Sequence, residues 1–185
     1  SAVIGLQSLR VLSAELPDVG FQSMSMRLMS ATAVSTSPFS YDQQVFQHPG
    51  VRWEAEVTLS PLKQADAKQV EAFFASLRGQ GNTFTMGNPL HNTTAVGTAT
   101  GAINATTLTG SFTNVVAGDY FEIGSRLYIV TEVNSSTSID IMPPLRVAAS
   151  STTLDFSKPK GTWRLSSNEI GWNINTAGIY AFTFA

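Results

Sequence analysis

The stretch VRWEAEVTLSPLKQADAKQVEAFFASLRGQGNTFTMGNP, Val51–Pro89, decides how the rest of the chain is read. Its first segment alternates: Trp53, Ala55, Val57 and Leu59 fall on one face, and Arg52, Glu54, Glu56 and Thr58 on the other. A period of two marks a strand with one buried and one wetted face. Pro61 ends it, because proline has no N–H to give to a ladder. A helix is expected over residues 63–78, with Asp66 as N-cap and Gln69 reaching back to complete a capping box. Ala67, Val70, Phe73, Phe74 and Leu77 make one apolar stripe at helical spacing. Arg78 suits the negative end of the helix dipole and Gly79 the left-handed stop. Residues 79–82 then turn, and Thr83-Phe84-Thr85-Met86 opens a second short strand. Burial of the two phenylalanines, the leucine and the valine, at about 2 kcal/mol each, pins the helix to a sheet. This block carries no site chemistry.

Upstream, the chain reads as β-rich and irregular. Val3 to Leu12 alternates loosely, and Pro17-Asp18-Val19-Gly20 is a turn. Met24, Met26, Leu28 and Ser30 alternate with Ser25, Arg27, Met29 and Ala31, which predicts a strand whose methionines are adaptable core filler or, on a second reading, part of a contact surface. Ser35-Thr36-Ser37-Pro38 reads as a linker or turn. A strand is expected from Phe39 to Gln47, with Phe39, Tyr41, Gln43, Val45 and Gln47 on one face. His48-Pro49-Gly50 is expected to close a hairpin onto the Trp53 strand.

Downstream of Pro89 the texture changes. From Asn92 to Lys160 the chain is dense in Thr, Ser, Gly, Asn, Val and Ile, with no helical stripe. Short strands are expected at Thr94–Thr100, Thr106–Gly110, Tyr120–Ile123, Leu127–Val133, Ser138–Met142 and Thr153–Phe156. Gly, Ser, Asn and Pro turns separate them, the pattern of a small barrel or sandwich. Trp163-Arg164-Leu165 begins a further strand, and Tyr180, Phe182 and Phe184 line one face of the last. The fold class expected is therefore mainly β with one α-helix. A β-sandwich-type domain carries the helix (residues 1–90 and 162–185), and a small β-barrel module (residues 91–161) is inserted into it.

Of the 185 residues, 13% are charged, half the usual share, and the net charge is −2. That provides no electrostatic footprint for nucleic acid or an anionic membrane. A weakly charged surface is a colloidal burden for a free monomer and less of one inside an assembly. The chain has no cysteine, which excludes disulfides, a thiolate nucleophile and cysteine zinc sites. No apolar run reaches the roughly 20 residues a membrane helix needs, and Ser1-Ala2-Val3-Ile4 lacks the features of a secretory signal. Synthesis in a cytosol is the expectation.

No catalytic, cofactor-binding or metal set emerges. His48 and His91 have no partner at triad or metal spacing. Glu54 and Glu56 point the same way and are candidates for a cation, for acid–base work or, on the plainer reading, for a solvated strand face or a subunit contact. Asp119 with Glu122 suggests a cation loop, or more simply an Asp opening a strand. Gly79-Gln80-Gly81 follows a helix instead of opening one, so it is no phosphate cradle. Tyr120, Phe121, Tyr128 and Trp172 are candidate ligand or subunit contacts, as a sugar-binding platform would need, although their alternation with polar residues equally suits core positions.

Taken together, residues 53–62, the helix ending Ala72-Phe73-Phe74-Ala75-Ser76-Leu77-Arg78-Gly79, then Asn82-Thr83-Phe84 and Asn88-Pro89, resemble tail-tip proteins of long-tailed bacteriophages, most of all the distal tail (baseplate upper ring) family. Residues 116–124, Leu127-Tyr128-Ile129-Val130 and Ile141-Met142-Pro143-Pro144-Leu145 are also phrases met in phage structural proteins. The resemblance covers most of residues 39–185. It implies a non-enzymatic virion protein at the tail tip, with a β-sandwich carrying a helix and an OB-like or galectin-like module. It also implies a ring, typically of six copies, between the tail tube and the central hub, with no cofactor. The chain is short for that family and its first fifty residues match less clearly, so a related minor tail protein fits too. Two other functions fit the residues alone. One is a carbohydrate-binding tail module contacting the host surface. The other is a hydrolase, which would need paired acids on convergent loops.

Overall fold

The structure, a computed structural model, describes residues 14–175 and 177–185. Thirteen strands and one α-helix are present among them. In order they are β1 (Ala14–Glu15), β2 (Phe21–Thr36), β3 (Gln43–Leu59), α1 (Gln64–Leu77), β4 (Phe84–Gly87), β5 (Val96–Gly101), β6 (Thr107–Thr113), β7 (Tyr120–Ile123), β8 (Arg126–Ser135), β9 (Ser138–Met142), β10 (Ala149–Leu154), β11 (Lys160–Trp163), β12 (Trp172–Ile174) and β13 (Tyr180–Phe184). The protein is mainly β, with a single α-helix among the described residues, as the sequence predicts. The expected alternation at Val3–Leu12 lies outside the described residues.

Three sheets form. A three-stranded sheet has the order β1-β4-β11, with β1 parallel to β4, and a four-stranded sheet has the order β12-β13-β3-β2. The third sheet, β10-β5-β6-β9-β8-β7, is drawn wholly from residues 96–154. Its two ends nearly meet: Glu122 and Asp155 exchange backbone hydrogen bonds of 2.9 and 3.4 Å, so the six strands curl into a barrel-like form. Ala99, Leu108, Phe121, Tyr128, Ile139 and Ile141 fill its interior.

The helix explains how the two smaller sheets share a core. Its buried residues are Ala67, Val70, Phe73, Phe74 and Leu77, the stripe read from the 3.6-residue period. Phe74 meets Phe182 and Phe184 of β13 at 6.1 and 5.0 Å between ring centres, while Phe73 meets Phe84 of β4 at 5.7 Å. One helix face thus closes a sandwich-like core that also holds Val57 and Leu59 of β3.

The helix ends differ from expectation. It begins at Gln64, with Lys63 at the N-cap and no side-chain cap bond. Asp66 is therefore a first-turn residue, where its charge still suits the positive end of the dipole, and no capping box forms. At the other end Arg78 takes the left-handed conformation (φ 53°) ahead of Gly79 (φ 63°). Gly79 is held to glycine by space as well: a Cβ there would lie 2.9 Å from Asn168 Cα.

The largest correction concerns residues 35–50. His48-Pro49-Gly50 does not close a hairpin, and the strand expected at Phe39 begins only at Gln43. β3 runs through to Leu59 against a single partner, β2. Register passes from Ser30↔Val51 to Thr32↔Gln47, so residues 48–50 face Ala31 alone. They form a bulge, the place within a ladder where a residue lacking an N–H is tolerated. The turn lies at residues 37–42 instead, closed by Ser37 N–H to the Asp42 carbonyl (2.9 Å) and Tyr41 N–H to the Ser37 carbonyl (3.0 Å). At the far end of the chain, Trp163 closes β11 instead of opening a strand.

Candidate functional site

Glu54 and Glu56 do lie on one face of β3, but each is met by an arginine. Arg52 Nε and Nη2 both donate to Glu54 Oε1, at 3.0 and 2.7 Å. Arg27 Nη2, across the ladder on β2, is 3.8 Å from Glu56 Oε2. The two line different hollows: Glu54 one with no second acidic side chain, and Glu56 a smaller one of about 250 Å3 that Glu169 also lines. Pairs this exposed contribute roughly 0–1 kcal/mol each, so they tune the strand surface more than they hold it.

The aromatic candidates do not form one platform. Tyr128 is fully buried, stacks on Phe121 at 5.4 Å, and accepts the Arg146 N–H through its hydroxyl at 3.0 Å. It is a core residue of the barrel-like sheet. Tyr120 is half-buried between Trp53 and His91, with ring centres 5.9 and 5.6 Å away. Trp172 is exposed on the outermost strand of a different sheet, 5.9 Å from Phe182.

The remaining polar candidates serve turns and joints. Asp119 is buried and accepts the Val116 N–H at 2.9 Å. Glu122 accepts the Lys160 N–H at 2.9 Å. His48 is exposed. Among the described residues no group of three or more His, Cys, Asp or Glu side chains could hold a metal ion.

Two acids titrate away from their ordinary values. The Thr107 hydroxyl, helped by Asn134, lowers the Asp140 carboxyl against a small effect of burial. At Asp155 burial pushes upward, but it is outweighed by the Ser157 hydroxyl, the Lys158 and Ser157 amides and the charge of Lys160, so this carboxyl is lowered too. Both support loops or strand edges, and neither faces a cleft.

What the structure adds is an arm. Beyond Leu28 the β2–β3 hairpin leaves the body, and from Met29 to His48 every side chain except Ser37 is exposed. The segment of β2 past the bulge, Thr32–Thr36, alone spans about 17 Å at the usual rise per residue. Each face carries one apolar cross-strand pair among polar ones such as Thr32–Gln47 and Ser35–Gln44. Val34 pairs with Val45, both more than half exposed, and Phe46 (54%) pairs with Ala33 on the opposite face. At the tip Phe39 is 95% and Tyr41 80% exposed. Among the described residues β2 is an edge strand along its whole length, and above Val57 the other side of β3 is unpaired as well. The sequence holds a signal that was open to another reading: Phe39 and Tyr41 lie between turn formers, Ser37-Pro38 and Asp42, where a strand is hard to sustain.

The arm's root meets the barrel-like sheet at a polar junction. Trp53 Nε1 donates to the Leu127 carbonyl at 3.0 Å, Arg146 Nη2 to the Val51 carbonyl at 2.6 Å, and Thr162 Oγ1 to the Ser125 carbonyl at 2.8 Å. Beside them, Trp163 Nε1 donates to the Met86 carbonyl at 2.8 Å. These four bonds frame a cleft of about 410 Å3.

No model of a known protein family matches this chain, and no curated protein matches it either. The class that the fold itself defines is a mainly-β protein with a sandwich-like core, a barrel-like six-stranded sheet and a projecting hairpin.

Proposed function

We propose that this protein is a non-enzymatic structural subunit of a long-tailed phage virion, a distal tail or related tail-tip ring protein that links the tail tube to the central hub. The observation that carries this reading is the arm. A two-stranded ribbon is marginal in water by itself, and this one exposes Val34, Phe39, Tyr41, Val45 and Phe46, with both edges unpaired among the described residues. Long unpaired edges that carry exposed apolar side chains are templates for pairing with another chain. Natural proteins blunt them unless the pairing is used. The edges differ, one from β2 and one from β3, so a copy that offers its β2 edge to a neighbour's β3 edge makes a head-to-tail contact. Repeated with closure, that contact generates a ring. The number of copies, six by the resemblance, follows from that resemblance alone. The low share of charged residues supports the same reading, since a surface covered in an assembly needs fewer charges for solubility.

The absence of native cysteine makes the test direct. Single variants Ala33→Cys on β2 and Gln44→Cys on β3 are purified, mixed and treated with a short bis-maleimide. Cross-linked heterodimers are expected in the mixture, well above the yield of either variant alone. Cross-linking no stronger than that of Lys68→Cys on the exposed helix face would sink the edge-pairing arrangement.

A further inference from the structure

The cleft at the arm's root concentrates charge in a chain that has little. Arg52, Arg126 and Arg146 line it, three of the chain's eleven basic residues, and no Asp or Glu does. Glu54 engages Arg52 from outside the lining. Arg126 and Arg146 take part in none of the three ion pairs among the described residues. Two of the guanidinium groups are already oriented: Arg52 by both bonds to Glu54, and Arg146 by its bond to the Val51 carbonyl. Arg126 is set by the tight Gly124-Ser125 turn, whose residues both have positive φ (58° and 59°) and which pairs Ile123 with Arg126.

The rest of the lining is aromatic or apolar apart from Thr162, whose hydroxyl is committed to the Ser125 carbonyl. Trp53 and Trp163 both contribute, each half-buried, and each has its indole N–H committed to a backbone carbonyl. What the rings still offer a ligand is therefore an apolar surface. A compact hollow of about 410 Å3 falls in the range of small-molecule sites, which are mostly apolar with a few fixed polar groups. Planar guanidinium forks match carboxylate and phosphate oxygens two at a time. A ligand that uses both halves of this lining needs a compact body with an apolar face and an attached anion.

We propose that the cleft binds an anionic saccharide, its ring against the indoles of Trp53 and Trp163 and its carboxylate or phosphate on Arg126 and Arg146. The site lies between the arm's root, β8, the Pro143–Arg146 loop and β11, so its geometry depends on the junction and not on ring closure. An extended nucleic acid is a poor fit, because the basic residues form one pocket and not a stripe along the surface.

The test uses the full chain, titrated calorimetrically at low salt with glucuronate, glucose 6-phosphate, glucose and inorganic phosphate. Indole fluorescence is followed in parallel. At least one anionic sugar should bind about tenfold or more tightly than glucose and than phosphate alone, with affinity falling as salt rises. Whichever of the two wins identifies carboxylate or phosphate as the anion. Arg126→Glu, at an exposed turn position, should keep the melting curve and lose about tenfold or more in affinity, with Arg126→Lys in between. Equal binding of glucose, or phosphate binding as well as the sugar phosphate does, overturns the proposal. So does an affinity unchanged in Arg126→Glu, or no binding of any probe at millimolar concentration.

Discussion

At Asp155 one side chain ties a loop to the closing point of the barrel-like sheet. Its Oδ1 accepts the Ser157 N–H at 2.9 Å and the Ser157 hydroxyl at 2.8 Å, while its backbone bridges Glu122. These bonds favour the charged carboxylate, so the folded protein holds the group below its ordinary value despite burial. The stabilisation is thus fully present above the unfolded value of about 3.9 and is lost as pH falls through the lower, folded one. Asp155→Asn should therefore cost stability at pH 6, with the gap to the parent narrowing as pH drops from about 5 toward 3. Urea unfolding of both proteins across that range measures it, and a gap that stays constant would contradict the assignment. Asp140 is lowered in the same direction but is common to both proteins, so it cancels in the difference. The Glu54 and Glu56 pair shows what sequence reading at this scale misses. Alternation along β3 reveals that both point one way, but not that Arg27 on another strand answers Glu56. That partner is set by register across the ladder, which local spacing does not encode.

Among the elements, α1 is the one on which both small sheets depend. Phe74 is 2% exposed and touches two rings of β13, and its neighbour Phe73 reaches β4. Phe74→Ala should cost about 3–5 kcal/mol, the range for deleting a buried phenylalanine. A loss below about 1 kcal/mol in urea unfolding would mean that the helix does not bridge the sheets as described. The helix was legible because its information is local: five apolar residues at a 3.6-residue period need no partner to be recognised. The strands from Val96 to Met142 were legible for a similar reason, since Gly, Ser and Asn punctuate them at short intervals, whereas the one expected at Thr153–Phe156 runs instead over Ala149–Leu154. The arm was not. Pro49-Gly50 reads as a turn wherever both flanking strands could pair with each other, and as a bulge only when both pair with a third segment. That third segment, β2, is separated from them by the tip at residues 37–42. The same holds for the cleft, whose arginines come from positions 52, 126 and 146 and meet only through the fold.

For the whole molecule, the division of labour is clear. A sandwich-like core and a barrel-like sheet bury the apolar residues in two clusters. The arm buries nothing of its own and spends apolar side chains on solvent, a cost that only a partner offsets. The measurement that tests this most directly is the mass in solution by light scattering, for the full chain and for a version with residues 33–46 replaced by an Asn-Gly turn. The account predicts a discrete closed oligomer for the full chain and a monomer for the shortened one. Both should unfold at the same urea midpoint in the monomeric state, because the removed side chains are exposed apart from Ser37. A full chain that stays monomeric at every concentration, or a shortened chain that still forms the same oligomer, would contradict assembly through the arm.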